Sequence, residues 1–432
     1  MPRDTYHALL ARHDAMRLRR NLLSPQSVED DRGPVAAPYN GIADQQLIMR
    51  CLGLVTPFDD LILHLYEVLF ERHPYLRSLF PESMEFQRTH LERIFRFLIE
   101  NLHRPDEVSA VFTQLGRDHR KLGVRPAQYE AFEEALIEAL RRRAGRGWTD
   151  ALGQAWLRAL RFAVGAMTEG ADSALTEPVA WQATVTEHQL RAPGLAVLRV
   201  QTHEPFPYRA GQYAALESPL LPRAWRPYHL ARAPRPDGVL EFHVRLAGAG
   251  GVSDALVRHT RPGDVLRIGA AHGTMTLDDR PAGDLLLVAS GTGWAPMKAL
   301  LQEVEAWQGE EAEREVHLFL EATALPELYD VAYLHELERR CPWLRVVPVI
   351  GEGRGTDGYS PVAEAVSRHG DWSGHLAFVS GPPEMARATV AGLVGAGVPV
   401  ERIRHDSFSR ATAARTAPAG RTASTGMLRE GA

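Results

Sequence analysis

The chain has 432 residues, 45% hydrophobic and 24% charged, which suffices for several packed cores and excludes disorder throughout. A net charge of −5 gives no global pull toward nucleic acid or an anionic membrane. Two cysteines, Cys51 and Cys341, exclude a disulfide framework and a cysteine-held iron–sulfur cluster.

No apolar run reaches the ~20 residues that span a bilayer, and no apolar signal core opens the chain, so a cytoplasmic protein without a membrane span is expected. Of the 49 basic residues only Lys121 and Lys298 are lysine, a skew that carries no functional meaning alone. Residues 1–40 read as an extension, a basic helix over Tyr6–Leu23 followed by a polar, proline-bearing linker. Residues 41–172 carry helical periodicity. Thr56-Pro57 is a start signal, a cap with proline at the first helical position. The run Phe58–Phe70 is largely apolar and predicts a deeply buried helix. Gln87, Leu91, Ile94, Phe95, Leu98 and Leu102 share one helical stripe. Val111, Phe112, Leu115, His119 and Leu122 share another. Helices through Tyr129–Leu140 and Leu152–Met167 complete an all-α domain.

From 178 to 280 the pattern changes to short alternating runs broken by Gly and Pro, the signal of an antiparallel β-barrel. From 281 to 408 buried strands alternate with helices: LLLVAS, VHLFLEA, LRVVPVI, HLAFVS and a last strand near Ile403. That predicts a doubly wound parallel sheet. Residues 409–432 lack periodicity and are expected to be disordered.

His119 puts a polar ring on an apolar stripe, where it needs a partner or a metal. A core histidine bonded to a carbonyl satisfies that. So does a haem ligand, because Tyr66 and Gln87 sit on two other apolar helices and can meet a ligand carrying partial negative charge. The run Leu65–Phe70, with His73-Pro74, Leu79-Phe80, Gln87-Arg88, Leu91, Asp118-His119, Gly123-Val124 and Tyr129, resembles the bacterial flavohaemoglobins. The resemblance implies a globin domain holding haem b through His119. It implies Tyr66 and Gln87 as the distal polar pair, Phe80 and Leu91 in the haem pocket, and Tyr129 in a proximal relay. In that family the relay tyrosine meets a glutamate late in the last helix. Here the expected place is Ala171. Glu169, the nearest acid, is rotated by about 200° along a helix. Asp118 also stands where relatives usually carry lysine.

The barrel carries FPYRAGQY through Tyr213, then Arg226-Pro227-Tyr228-His229, then Gly250-Gly251-Val252-Ser253. These resemble the FAD-binding motifs of the ferredoxin-reductase-like family. By that resemblance Tyr213, Tyr228 and His229 meet the flavin, and Arg226 pairs with pyrophosphate. Gly251, Val252 and Ser253 give a second pyrophosphate contact, and Phe408 lies against the ring. His229 replaces the usual serine, whose hydroxyl donates to flavin N5. Gly291, Thr292, Gly293 and Pro296 after a strand, with Gly381-Pro382, resemble that family's nicotinamide-dinucleotide loops. Glu321 ends the second strand and favours NADH over NADPH.

The three modules imply electron passage from NADH or NADPH through FAD to haem. The resemblance implies conversion of nitric oxide and dioxygen to nitrate. An oxygen or redox sensor with impaired reductase, and an NADH oxidase or peroxide-reducing haemoprotein, are the alternatives.

Overall fold

The computed structural model describes residues 39–277, 283–307, 314–351 and 360–406. The expected extension helix, the tail and Phe408 lie outside them.

The first module is helical: Ile42–Arg50 (α1), Phe58–Arg72 (α2), Glu85–Asn101 (α3), Pro105–His119 (α4), Pro126–Ala144 (α5) and Asp150–Ser173 (α6). α2 buries Leu61, Ile62, Leu65, Tyr66, Val68 and Leu69, as its apolar run requires. Its start differs from expectation. Pro57 is the N-cap, in an extended conformation, so the helix begins one residue later. Thr149 caps α6, its Oγ1 accepting from the Leu152 amide at 3.2 Å. α4 and α6 cross backbone to backbone. A Cβ at Gly116 would stand 1.9 Å from the Met167 carbonyl oxygen, and one at Gly170 would stand 1.9 Å from that of Thr113.

The second module is a six-stranded antiparallel sheet in the order β4-β3-β6-β1-β2-β5. The strands are Trp181–Ala192 (β1), Leu195–Thr202 (β2), Tyr213–Glu217 (β3), Trp225–His229 (β4), Val239–Arg245 (β5) and Val265–His272 (β6). A bridge from Leu230 to Phe242 brings the β4 and β5 edges together, closing the sheet on a core that includes Leu198, Leu216, Phe242 and Leu266.

The third module is a parallel sheet in the order β11-β10-β7-β8-β9. Its strands are Leu285–Ser290 (β7), Val316–Ala322 (β8), Leu344–Ile350 (β9), Leu376–Ser380 (β10) and Ile403–Arg404 (β11). Between them run Trp294–Trp307 (α7), Val331–Arg340 (α8), Pro361–His369 (α9) and Pro383–Gly395 (α10). Leu285–Ala289 are all buried, as a central parallel strand covered on both faces demands. Among the described residues no helix is long and apolar enough to cross a membrane.

Candidate functional site

His119 ends α4. Its Nδ1 lies 2.9 Å from the Leu115 carbonyl oxygen, one turn back. A carbonyl only accepts, so Nδ1 carries the proton and the Nε2 lone pair is left for a metal. Burial lowers the His119 pKa and favours that neutral imidazole. The carbonyl bond expected of a core histidine is therefore present, and it is also the bond that orients a haem ligand.

Tyr66 is 8% exposed, and its ring meets Phe80 edge-on at 5.5 Å and Phe70 in a stack at 5.8 Å. Burial pushes its hydroxyl pKa up, so it stays a donor. Gln87 Oε1 is buried without a hydrogen-bond partner among the described residues. A buried amide stranded in this way fits a bound ligand that supplies the missing partner. Leu91 follows one turn along α3 and is half-buried. Tyr129, on α5, makes no hydrogen bond among the described residues, and burial pushes its pKa up to about 12. Glu169 is exposed and Ala171 carries no acid, so the relay glutamate is missing in space as well as in sequence. The residues present fit a haem held by His119.

Tyr213, His229 and His272 are cross-strand partners on β3, β4 and β6, so they point to one face of the sheet. The Tyr213 ring is 5.8 Å from His229 and 6.1 Å from His272. Arg226 and Tyr228 fall on the opposite face of β4, and Tyr228 packs partly on the barrel core. His229 Nε2 stands 3.7 Å from Asp406 Oδ2. Asp406 also accepts from the Thr274 amide at 2.9 Å. Gly273 has φ +112°, and a Cβ there would stand 2.4 Å from Asp406 Oδ2, so glycine is required by both conformation and space. The Arg226 guanidinium lies 3.8 Å from the ring centroid of Phe86, at the start of α3. Ser253 Oγ accepts from the Ala247 amide at 3.0 Å, and the Gly250 amide donates to Asp254 at 2.8 Å. Gly251 is the N-cap of the short helical turn Val252–Asp254, so the amides of Gly251 and Val252 stand at its start.

The two glycine loops meet where sequence motifs placed them. Gly291–Gly293 follows β7 and Gly381-Pro382 follows β10, which pair side by side. Between these strands the chain order reverses, the switch point where such sheets open a ligand crevice. A Cβ at Gly293 would stand 2.1 Å from the Ser380 carbonyl oxygen. Thr292 lies between the glycines, and Pro296 is buried in the first turn of α7. Gly291, Glu321, Tyr329 and Asp330 line a small pocket beside the loops.

One polar cluster escaped the sequence reading. Lys298 Nζ, on α7, bonds Glu241 Oε1 at 2.8 Å and Asp330 Oδ2 at 3.0 Å. Glu241 also meets His243 at 3.1 Å and Arg199 at 2.8 Å, and His243 meets the Tyr329 hydroxyl at 2.8 Å. Burial alone would raise the Glu241 pKa. The hydrogen bond with His243 and the Lys298 charge hold it well below the carboxylate range instead. The cluster bolts β5 of the barrel to the third module.

A helical haem module, a flavin barrel and a dinucleotide sheet in one chain define an electron-transferring flavohaemoprotein. Family models match in the same order: Globin over 63–167, Oxidoreductase FAD-binding domain over 182–277 and Oxidoreductase NAD-binding domain over 287–391. A flavohemoprotein of Bacillus subtilis is 26% identical over 291 residues, covering 63% of this chain and 70% of that protein. The reductase component of a Pseudomonas phenol 2-monooxygenase is 29% identical over 210 residues, and the match spans only 58% of its length. The structure of a flavohemoglobin from Malassezia yamatoensis with bound FAD and haem matches with a TM-score of 0.69 at 18% identity, covering 84% of this chain and 98% of that one. Globin, FAD-binding and NAD-binding domains in this order give the chain the domain make-up of the flavohemoproteins it is similar to, with haem, FAD and a nicotinamide dinucleotide as its cofactors.

Proposed function

We propose that the protein converts nitric oxide and dioxygen to nitrate at the expense of NADH. Two molecules of each gas and one NADH give two nitrates, NAD⁺ and one proton. When bound, the cofactors supply hydride transfer from nicotinamide to flavin and single-electron reduction of iron. The observation that carries the reading is that the haem module holds both a buried, protonated Tyr66 and a Gln87 amide oxygen stranded without a partner among the described residues. Both would orient dioxygen by hydrogen bonds. Glu321 at the end of β8 supports NADH, because a carboxylate there accepts from ribose hydroxyls and repels a 2′-phosphate.

NADH oxidation under air should accelerate on adding nitric oxide, with nitrate as product. Tyr66→Phe should raise the dioxygen dissociation rate about 10- to 100-fold, the equivalent of one charge-assisted hydrogen bond of about 1.5–3 kcal/mol. Nitric oxide that leaves NADH oxidation unchanged would favour the sensor or oxidase reading, which the unpartnered Tyr129 supports.

His229 is the second point of test. Its imidazole faces the Asp406 carboxylate, an acceptor that competes with flavin N5 for its proton. His229→Ser should therefore speed flavin reduction by NADH about tenfold in stopped flow, since hydride transfer is sensitive to small misplacement. No acceleration would mean that the imidazole serves as well as a hydroxyl.

A further inference from the structure

At the junction of globin and barrel one barrel histidine makes two hydrogen bonds to a globin helix. His272 ends β6, and its Nε2 lies 2.6 Å from Asp118 Oδ1. Its Nδ1 lies 3.2 Å from Gln114 Nε2. Gln114 and Asp118 are one turn apart on α4, so they grip the ring from the same helical face. An amide N–H donates to Nδ1 and a carboxylate accepts from Nε2–H, so a single neutral tautomer satisfies both bonds. Lys121 adds to the junction. Its Nζ lies 3.6 Å from Asp118 and 5.4 Å from the centroid of the Trp225 ring. A Cβ at Gly269 would stand 3.2 Å from the same nitrogen. Two more contacts tie the helix end to the segment before β1: Arg117 to Glu177 and Arg120 to the Glu177 carbonyl.

This contact joins the two ends of the electron route. Asp118 is covalently next to His119. His272 packs edge-on against Tyr213, which packs against His229. We propose that the bonds of His272 to Asp118 and Gln114 form a latch that docks the haem-ligand end of α4 on the flavin-facing edge of the barrel. His272 is thereby a positioning residue for electron passage from flavin to haem. The inference rests on that electron route and not on nitric oxide as substrate. A flavin reduced by one hydride from nicotinamide gives up two electrons, each taking one ferric iron to ferrous, and releases a proton. The latch changes none of that balance. It sets the distance and orientation across which each electron moves.

The test is anaerobic stopped flow of the holoprotein mixed with NADH, following flavin and haem absorbance separately, with no nitric oxide present. His272→Ala should leave flavin reduction unchanged and slow haem reduction about tenfold, as expected when reacting partners are displaced. His272→Gln keeps an N–H at the same reach toward Asp118 and should recover most of the rate. Hydrogen–deuterium exchange of the holoprotein gives a second readout. Amides of residues 117–123 and 269–274 should exchange faster in His272→Ala and recover in His272→Gln. If His272→Ala loses FAD, Gln114→Ala carries the test from the globin side, with haem reduction slowed about threefold, the share of one neutral hydrogen bond. Unchanged haem reduction, equal slowing of flavin reduction, or a glutamine variant as slow as the alanine one would overturn the latch. Normal haem reduction in a protein that fails to turn over nitric oxide would remove the proposed substrate and leave the latch standing.

Discussion

Replacing Gly116 by alanine is expected to strip haem from the protein while FAD stays bound. A Cβ on Gly116 would stand 1.9 Å from the Met167 carbonyl oxygen, where ordinary contact begins near 3.4 Å. α4 and α6 would have to part by about 1.5 Å, and a backbone carbonyl inside a helix cannot swing aside as a side chain does. Alanine normally stabilises a helix by about 1 kcal/mol over glycine. Overpacking costs about 1–3 kcal/mol, and a clash with backbone belongs at the upper end, so the loss wins. His119 lies three residues further along the same helix, about 4.5 Å up its axis. Whatever moves Gly116 moves His119, the proposed haem ligand.

A loss of about 1.4 kcal/mol in haem affinity is already tenfold, and Gly116→Val should exceed it. The ratio of haem to flavin absorbance in purified protein measures this directly. Gly165→Ala is the control: Gly165 sits in α6, the helix that α4 crosses, but nothing lies within 4 Å of its added Cβ, so that variant should keep haem and gain stability. A Gly116→Ala protein with full haem content would show that the crossing tolerates separation.

The contrast between this glycine and those of the dinucleotide loops explains what a sequence reveals. Gly291, Gly293 and Gly381 were legible because their spacing after a strand and before a helix is itself the signal, and the structure sets them side by side. Gly116 and Gly170 lie inside helices, where glycine reads only as a propensity cost. What requires them is a second helix fifty residues away. His119 was legible from its stripe, and its bond to Leu115 is ordinary helical arithmetic. His272 was not, because its partners Gln114 and Asp118 lie on another module. Glu241 and His243 alternate along β5 with the core positions Leu240, Phe242 and Val244, so they fall on the outward face, which a strand pattern reads as solvent-exposed, and their burial was hidden. Lys298 did leave a trace. In a chain that uses arginine almost throughout, its two lysines stand at the two module junctions. Composition exposed the oddity, and only packing supplied a reason.

That reason leads to the largest stability effect expected outside the haem module. Lys298→Met should destabilise the union of barrel and dinucleotide module by about 3–5 kcal/mol, the usual cost of removing one partner from a buried ion cluster. Its Nζ is held between Glu241 and Asp330 and lies 4.5 Å from the centroid of the Tyr333 ring. Glu241 would survive the loss, keeping Arg199 and His243. Among the described residues Asp330 would keep only the Trp294 indole N–H, at 3.1 Å, and becomes the stranded charge.

The pH dependence follows from that assignment. In the parent protein burial opposes ionisation of Asp330, but the Lys298 charge and its hydrogen bonds hold the pKa below normal. Its stabilising contribution is present above the unfolded pKa of about 3.9 and is lost only as pH falls through the lower folded value. In the variant burial, the largest influence, is opposed only by the weaker effects of the Trp294 hydrogen bond and His243, and it raises the folded pKa above the unfolded one. The native state then binds the extra proton, so stability falls as pH rises from about 4 toward neutrality. The deficit of Lys298→Met should accordingly be small near pH 4 and largest near pH 7, read from urea-induced release of FAD. Adding Asp330→Asn should restore most of the loss at pH 7, because the amide needs no counter-charge. Lys298→Arg should not, since a planar guanidinium is bulkier than the ammonium that three side chains enclose. A deficit independent of pH, or one that Asp330→Asn deepens, would place the cost in lost packing and not in the stranded carboxylate.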